Sequence, residues 1–333
     1  MGRDLESATF TREQRQRYRD KVKVCLDVFE QMLATSSFEF DRPQVGMEIE
    51  LNLVDAEYRP RMENAEVLAA IADPEYQTEL ARFNIEFNVA PHELGGDATV
   101  RLERDLRTSL NEAERRCSGI GAHIIMIGIL PTVVPQTFEG DWMSANARYQ
   151  ALNDAVLAAR GEDIHLDIAG PSGERLLRYA DSLAPESACT SMQLHLQVRP
   201  GEFAAHWNAA QVLAGPQLAL GANSPYFLGR ELWAETRIEL FTQAADTRPE
   251  ELKNQGVRPR VFFGDRWITS IFDLFEENTR YFPAMLPELD DEDPQEAFDA
   301  GRTPKLAEMR LHNGTIYRWN RPIYDTVDGR PHL

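Results

Sequence analysis

Carboxylates, amides and one imidazole recur at every second position in three short segments of the chain. The segments are residues 45–52, 83–89 and 191–198. Successive side chains of a β-strand point to opposite faces of its sheet, so each segment is predicted to be a strand with one polar and one apolar face. The ten polar-face residues are Glu48, Glu50, Asn52, Asn84, Glu86, Asn88, Ser191, Gln193, His195 and Gln197.

These polar faces contain no lysine or arginine. The simplest interpretation is a set of half-buried antiparallel strands whose polar sides contact water. A solvated face, however, normally mixes cations with anions, and carboxylates brought together repel one another unless a cation lies between them. Oxygen-rich ligand sets with an occasional imidazole suit Mg²⁺ or Mn²⁺ rather than zinc. The pattern therefore predicts a metal-binding sheet face. Its candidate ligands are Glu48, Glu50, Glu86 and His195.

The segments around these strands follow mainly helical patterns. Residues 11–35 begin with a capping-box pair, Thr11 and Gln14, and carry an apolar stripe. Further helices are predicted over residues 64–72, about 98–118, 147–159, 202–214 and 270–282. Residues 124–134 are expected to form a buried strand, and residues 306–322 alternate like a strand and contain three arginines. This order of elements is typical of an α+β fold.

Charge and cysteine content restrict the expected partners. The 333 residues carry a formal net charge of −19 without a basic stripe, so we expect no nucleic-acid or anionic membrane partner. Three cysteines far apart (Cys25, Cys117 and Cys189) predict a reducing, cytoplasmic environment without disulfides or a zinc motif. The first 20 residues lack a signal-peptide pattern, and the longest apolar run is too short to span a bilayer. Small-molecule substrates are therefore the expected partners.

Several motifs, taken in order, resemble the glutamate–cysteine ligase superfamily in its bacterial and plant-type branch, which includes the carboxylate–amine ligases. They are Gly46-x-Glu48-x-Glu50, the Glu86 strand, Gln193-x-His195, Ala222-Asn223-Ser224-Pro225 with Arg237, and His312-Asn313-Gly314-Thr315-Ile316. Gly128-Ile129-Leu130-Pro131-Thr132, Trp142 and Arg148-Tyr149 fit the same branch. Each motif alone has little specificity, whereas their combined order and spacing are fairly specific. The resemblance covers most of the chain, from about residue 45 onwards.

The resemblance implies a fold similar to the catalytic domain of glutamine synthetase, in which a curved, mostly antiparallel sheet forms a funnel with helices outside. It also implies an ATP-dependent reaction that belongs to glutathione biosynthesis. The γ-carboxylate of glutamate attacks the γ-phosphate of ATP, and an amine, most simply cysteine, then displaces phosphate from the acyl phosphate to give an amide. Two or three Mg²⁺ ions on the sheet would neutralise phosphate charge and orient the transfer.

The resemblance also assigns roles to single residues. Metal binding is implied for Glu48, Glu50, Glu86, Gln193 and His195. Cofactor binding is implied for Asn223, His312 and Arg318. Arg237 would hold the substrate glutamate, because a guanidinium binds a carboxylate through two parallel hydrogen bonds. Arg321 would act in catalysis near the phosphate or the substrate carboxylate. For Arg318 and Arg321 an ordinary surface salt bridge is the alternative interpretation.

One feature departs from the superfamily pattern. Its members usually continue beyond the His312 motif into a strand with Glu-x-Arg, whose glutamate completes a metal site. The chain ends at Leu333, about where that strand is expected to begin. We therefore expect residues 1–333 to form a single catalytic-type domain that is incomplete at its C-terminal end. Residues 1–40 would supply a helix, and residues 41–333 the sheet-and-helix core.

Two alternatives to a ligase stay open. The first is a non-catalytic fragment or homologue that binds nucleotide or amino acid without turnover. The second is a glycoside hydrolase that uses Glu48 and Glu86 as acid and base. The sequence does not show the cluster of exposed Trp and Tyr that sugar stacking would require, and this counts against the second alternative.

Overall fold

A computed structural model of the chain describes residues 10–35, 38–40, 43–327 and 329–333. The helices are α1 (Arg12–Thr35), α2 (Asn64–Ile71), α3 (Ala98–Ser118), α4 (Ala147–Arg160), α5 (Ala184–Ser187), α6 (Phe203–Gly221), α7 (Thr236–Ala244), α8 (Glu250–Asn254), α9 (Ile271–Tyr281), α10 (Pro294–Asp299) and α11 (Ala307–Asn313). The strands are β1 (Gln44–Val54), β2 (Tyr76–Thr78), β3 (Asn84–Glu93), β4 (His123–Ile125), β5 (Ile164–Ala169), β6 (Arg175–Ala180), β7 (Met192–Leu196), β8 (Tyr226–Phe227), β9 (Arg230–Glu231), β10 (Val261–Phe262), β11 (Tyr317–Arg318), β12 (Asp325–Val327) and β13 (Arg330–His332). None of these helices is long and apolar enough to cross a membrane. Helices and mostly antiparallel strands alternate, which confirms the α+β class.

The central sheet is organised around β1. Its strands follow the order β2-β3-β1-β4, and β7 pairs with β1 as well. All of these pairs are antiparallel. β3 covers one side of β1, whereas β7 and β4 share the other side, opposite residues 45–49 and 52–54 respectively. The three polar segments of the sequence are therefore adjacent strands of one sheet, and in the described ranges the sheets do not close into a barrel.

The apolar side of β1 and β3 packs against α2 and α3, as the alternation predicts. Met47, Ile49 and Leu51 of β1 lie in one buried cluster with Ile85 and Phe87 of β3. Helix residues complete this cluster; they include Val67, Ile71, Ala113 and Cys117. Burial of so much apolar surface fixes the strand register, because a slip of one residue would turn the apolar side chains to the other face.

The same prediction is wrong for β7. Its apolar residues Met192, Leu194 and Leu196 are 51%, 53% and 48% exposed. In the described part of the chain, the main contacts of α2 and α3 with the sheet are to β2, β3 and β4 rather than to the edge strand β7. Alternation determines which face is apolar, whereas burial depends on what lies opposite that face.

The predicted buried strand over residues 124–134 is also wrong for most of its length, because β4 ends at Ile125. Beyond β4 the chain runs close to other side chains. A Cβ atom on Gly128 would lie only 2.6 Å from Nε of Arg237 and from Oδ1 of Asn223. Glycine is therefore required where this irregular segment passes the two side chains.

Residues 306–322 differ from prediction as well, since α11 occupies their first half and only the short β11 is extended. Met309, His312 and Asn313 are buried. Their spacing of three and four residues is that of one helix face. The alternation of polar and apolar residues in this segment therefore predicted a strand where the buried residues have the spacing of a helix.

Helix α1 begins as the capping-box pattern predicts. The backbone N–H of Thr11 donates to Oε1 of Gln14 (2.7 Å), and the N–H of Gln14 donates to Oγ1 of Thr11 (3.1 Å). The helix packs against α9, α10 and α11. Its Phe29 ring lies 5.2 Å from the ring of Phe275 and 5.6 Å from that of Tyr324, both in edge-to-face geometry. The helix is therefore part of the hydrophobic core.

We expect the Phe29→Ala variant to lose about 3–5 kcal/mol of the free energy of unfolding, because the deletion leaves a cavity in this core. Val24→Ala, on the exposed side of the same helix (40% exposed), is the control and should change stability by less than about 0.5 kcal/mol. Denaturant-induced unfolding measures both. A loss below about 1 kcal/mol for Phe29→Ala would contradict the packing of α1 on the core.

Candidate functional site

Three carboxylates meet on the polar face of the central sheet. The β1–β3 register places Glu50 directly opposite Glu86. Glu79 follows the last residue of β2, the strand on the other side of Glu86. Each of the three offers a carboxylate oxygen, and these oxygens all lie within 4.8 Å of one another. We call Glu50, Glu79 and Glu86 the carboxylate group.

Neutral donors hold Glu86 in place. Its Oε1 accepts hydrogen bonds from Nε2 of Gln77 (2.6 Å) and from Nδ2 of Asn88 (2.8 Å). Gln77 lies directly opposite Glu86 in the β2–β3 pair. Both donors are uncharged amides, so they orient the carboxylate without neutralising it. An ionised Glu86 can therefore still contribute its full charge to a bound cation.

Backbone amides hold the other two members. Oε2 of Glu50 accepts from the N–H of Ser191 (2.6 Å), and Oε2 of Glu79 accepts from the N–H of Leu80 (3.0 Å). Burial raises the pKa of Glu50 to about 8, and the charges of Glu86 and Glu186 add to this effect, whereas the Ser191 amide opposes it. Burial and the charges of Glu50 and Glu86 also raise the pKa of Glu79 well above its usual range.

The donor set of the carboxylate group fits a hard divalent cation. Three carboxylates supply only oxygen ligands, which Mg²⁺ and Mn²⁺ prefer. The carboxyl groups of Glu50 and Glu79 have raised pKa values, mainly because they are buried, and a bound cation would favour their ionised forms. In the described part of the chain no lysine or arginine forms an ion pair with any of the three. A divalent cation would balance the negative charge of this arrangement.

Glu48 and His195 form a second, neighbouring pair. In the β1–β7 register Glu48 lies opposite Gln193, and His195 lies opposite Gly46. Nε2 of His195 is 3.6 Å from Oε1 of Glu48. The five predicted metal ligands thus divide into two sets, with Glu50 and Glu86 in the carboxylate group and Glu48, Gln193 and His195 beside it. Their role as ligands stays a prediction.

Glu79 is the residue that sequence reasoning missed. The strand that it directly follows, β2, has only three residues, too few for alternation to be recognised. A signal was nevertheless present, because Gln77 and Glu79 are two positions apart and Gln77 is the cross-strand partner of Glu86. Side chains two positions apart on a strand lie on the same face.

Asn52 and Asn84, two further polar residues of the sheet, have hydrogen-bond partners within the fold. Nδ2 of Asn84 donates to Oδ1 of Asn52 (3.0 Å), and Nδ2 of Asn52 donates to the carbonyl oxygen of Ile127 (3.0 Å). Both asparagines are buried. The polar face of the sheet therefore has a structural end at these amides and a charged end at the carboxylate group.

Arg237 lies in the first turn of α7, on the side of the sheet where β7 begins. Its Nη2 donates to Oε2 of Glu235 (3.0 Å), its Nε donates to Oε1 of the same carboxylate, and its Nη1 donates to the carbonyl oxygen of Thr190 (2.5 Å). Thr190 directly precedes Ser191, whose amide binds Glu50. A guanidinium has five N–H donors, and three of those of Arg237 bind described residues. One N–H group on each terminal nitrogen therefore has no partner among the described residues and can donate to a ligand.

Asn223 and Arg237 both lie next to Gly128. Its Oδ1 accepts from the backbone N–H of Gly128 (3.0 Å). The same glycine leaves room for the guanidinium of Arg237. The structure therefore brings together the predicted substrate arginine and the predicted cofactor residue, although Asn223 has a structural hydrogen bond as well.

Arg148 and Arg321 lie close to Tyr317. The charges of both guanidiniums act on the Tyr317 hydroxyl, whose pKa is raised to about 12 mainly by burial and secondly by the charge of Glu186. Neither arginine forms an ion pair with any residue that the structure describes. Burial, and then the charge of Glu79, raise the pKa of Tyr149, so the Arg148 region also borders the carboxylate group. An arginine that borders the carboxylate group and has no ion pair among the described residues suits an anion that is bound together with a metal.

Arg318 and His312 have buried partners in α9. Nη2 of Arg318 lies 3.1 Å from Oε2 of Glu277 and 3.1 Å from Oδ1 of Asn278, and its guanidinium stacks over Phe262 at 4.4 Å. Nε2 of His312 lies 3.0 Å from the carbonyl oxygen of Asn278. The ion pair of Arg318 is buried rather than on the surface. The structure does not place either residue in the carboxylate group.

Most of the chain matches a known protein family. The family model for glutamate–cysteine ligase family 2 (GCS2) matches residues 44–259, about two thirds of the chain. The chain belongs to this family. The matched region contains the carboxylate group, β7 and Arg237, and it ends before the segment with His312 and Arg318. No curated protein matches the chain.

Membership of GCS2 confirms the resemblance found in the sequence. It places the chain in a family of ligases of the glutamate–cysteine ligase type. The family match favours a ligase over the glycoside hydrolase alternative, whose only support was a pair of carboxylates.

We expect the Glu79→Gln variant to bind Mn²⁺ at least tenfold more weakly than the unaltered chain, because the amide offers no negative charge to the cation. Glu75→Gln, on the same hairpin but outside the carboxylate group, is the matched control and should bind Mn²⁺ normally. Titration of Mn²⁺ followed by electron paramagnetic resonance measures both affinities. Equal affinities in the two variants would contradict a cation site that includes Glu79.

We also expect the metal-free chain to lose stability as the pH rises from about 5 to 8. In this range Glu50, with a pKa of about 8, keeps in the native state a proton that the unfolded chain has released. One such proton lowers the free energy of unfolding by about 1.4 kcal/mol per pH unit.

The measurement is denaturant unfolding in a chelator at several pH values, with Glu50→Gln for comparison. That variant cannot titrate at this position, so its stability should fall less steeply with pH. Added Mg²⁺ should stabilise the unaltered chain more at pH 8 than at pH 6, because it binds the ionised carboxylates. Parallel pH profiles without metal for the two proteins would contradict a raised pKa of Glu50.

Proposed function

We propose that this GCS2 chain is an ATP-dependent ligase that joins the γ-carboxylate of glutamate to an amine, most simply cysteine, through an acyl phosphate. The observation that carries the proposal is the group of three clustered carboxylates. Arg148 is next to Tyr149, whose hydroxyl donates to the carbonyl oxygen of Thr78, the residue directly before Glu79 (3.0 Å). A nucleotide triphosphate is an anion that binds together with Mg²⁺, so it needs both kinds of charge in one place. In this proposal the central sheet is the inner wall of a funnel like that of the glutamine synthetase catalytic domain.

The carboxylates would hold Mg²⁺ or Mn²⁺. Glu50, Glu79 and Glu86 would bind one ion, supported by their mutual distance of at most 4.8 Å. Glu48 and His195, with Gln193 beside them, would bind another. Bound there, the ions would supply neutralisation of phosphate charge during an in-line transfer.

The arginines would bind the anionic groups of the substrates. Arg148 and Arg321 lack ion-pair partners in the described part of the chain and would contact phosphate oxygens, where they stabilise the charge of the transferred group. Arg237 would bind a carboxylate of glutamate through its two remaining N–H groups. Glu235 keeps the plane of that guanidinium fixed, so less conformational entropy is lost on binding.

The reaction would proceed in two steps. An oxygen of the γ-carboxylate forms a bond to the γ-phosphorus while the bond from that phosphorus to ADP breaks. The amine nitrogen then attacks the acyl carbon, the bond from carbon to the phosphate oxygen breaks, and phosphate and a proton leave. The chain's part in both steps is to position the reactants and to stabilise negative charge.

We expect the purified chain with ATP and Mg²⁺ to release ADP only when glutamate is present, and faster with one member of a panel of amines that includes cysteine. Coupled measurement of ADP detects this, and mass spectrometry of the product identifies the amide. Glu50→Gln should lower the rate at least 100-fold, whereas Glu75→Gln should leave it unchanged. Mg²⁺-dependent ATP binding without ADP release under any condition would favour the non-catalytic alternative.

A further inference from the structure

One carboxylate oxygen near the site has no hydrogen-bond partner among the described residues. Glu186 lies in the single turn of α5, just before β7. Its Oε2 atom is buried and has no hydrogen-bond partner among the described residues. Glu50, Glu79 and Glu86 each accept a hydrogen bond from an N–H group. A buried carboxylate oxygen without a donor costs free energy, so this position calls for a ligand with N–H or O–H groups.

The neighbours of Glu186 place it at the edge of the proposed active site. Its charge acts on the carboxyl of Glu50, the thiol of Cys189 and the hydroxyl of Tyr317. It is not a member of the group whose oxygens lie within 4.8 Å of one another. Glu186 therefore lies close to the carboxylate group without sharing its candidate cation site.

Cys189 is close to both Glu186 and Arg237. Its backbone N–H donates to the carbonyl oxygen of Glu186 (2.9 Å), and it directly precedes Thr190, whose carbonyl oxygen accepts from Nη1 of Arg237 (2.5 Å). Burial raises the pKa of its thiol, the charge of Glu186 raises it further, and the charge of Arg237 opposes the rise. The carboxylate of Glu186 and the guanidinium of Arg237 thus both lie within electrostatic reach of one small side chain. This is the pair of charges that complements an α-amino acid, whose ammonium and carboxylate are attached to the same carbon.

We propose that Glu186 binds the α-ammonium of the glutamate substrate, while Arg237 binds its α-carboxylate. The assignment rests on the proposed ligase function and adds a residue that selects α-amino acids over plain dicarboxylates. With the ammonium and α-carboxylate held in this way, the γ-carboxylate extends toward the carboxylate group and its metal. The three N–H donors of an ammonium supply the hydrogen bond that Oε2 of Glu186 lacks.

The test compares two ligands that differ by the ammonium group, L-glutamate and glutarate. Dissociation constants are measured by calorimetry with Mg²⁺ and a non-hydrolysable ATP analogue. We expect the unaltered chain to prefer L-glutamate at least tenfold, the size of one charge-assisted hydrogen bond. Glu186→Gln should lose this preference by weakening L-glutamate binding while glutarate binding stays within about twofold.

Glu174→Gln is the matched control. Its Oε2 is also buried without a hydrogen bond, but it lies before β6, where it pairs with Arg230 at 3.7 Å. That variant should keep the full preference for L-glutamate. If Glu186→Gln does not fold, Glu186→Asp is used instead, and its shortened side chain should reduce the preference in the same direction.

The outcomes separate this inference from the proposed function. An unchanged preference in the folded Glu186 variant, or a weakened affinity for the amine acceptor instead of glutamate, would overturn the assignment of Glu186. Absence of glutamate-dependent ADP release by the unaltered chain would overturn the ligase itself. A loss of L-glutamate affinity confined to Glu186→Gln supports both.

Discussion

The pairing of Glu50 with Glu86 across β1 and β3 is the constraint on which the rest of the site depends. Two carboxyl groups opposite each other would repel if both were ionised and would then destabilise an antiparallel pair, and a third carboxyl group, Glu79, would add to the repulsion. The opposite face of the same strands compensates, since Ile49, Leu51 and their neighbours are buried against α2 and α3. The hydrophobic face thus holds in register a polar face that would not associate by itself.

The way in which charge is distributed around the sheet follows from this constraint. Donors to the carboxylate group are amides, as in Gln77 and Ser191. An arginine in their place would form a tight ion pair with the carboxylates and compete with a metal. Arg237 is instead held by its own carboxylate, Glu235. Positive and negative groups are thereby kept close together but not in contact, which is the arrangement that a metal-bound phosphate requires.

The strands whose side chains alternate every second residue could be predicted from the sequence. Alternation identified β1, β3 and β7 and the polar side of each, because side-chain direction in a strand follows the backbone alone. It could not identify Glu79, which directly follows a strand of three residues. It also could not show that the apolar face of β7 would stay exposed, since coverage depends on elements distant in sequence. Gly128 was predicted to lie in a strand, yet its role is to leave space for the guanidinium of Arg237, which a Cβ atom at this position would contact too closely.

The C-terminal arginines show why a motif alone does not identify a site residue. Arg318 and Arg321 are three positions apart in a segment that the family match does not include. Arg318 is buried, and its pKa is lowered to about 10, first by burial and then by the charge of Arg258; Glu277 and Asn278 bind its guanidinium. Its charge is therefore already used within the fold. Arg321 keeps its charge unpaired in the described structure and acts on Tyr317 together with Arg148. Of the two, only Arg321 could bind a ligand anion without breaking an ion pair within the described structure, and on these energetic grounds we assign the proposed phosphate-binding role to it.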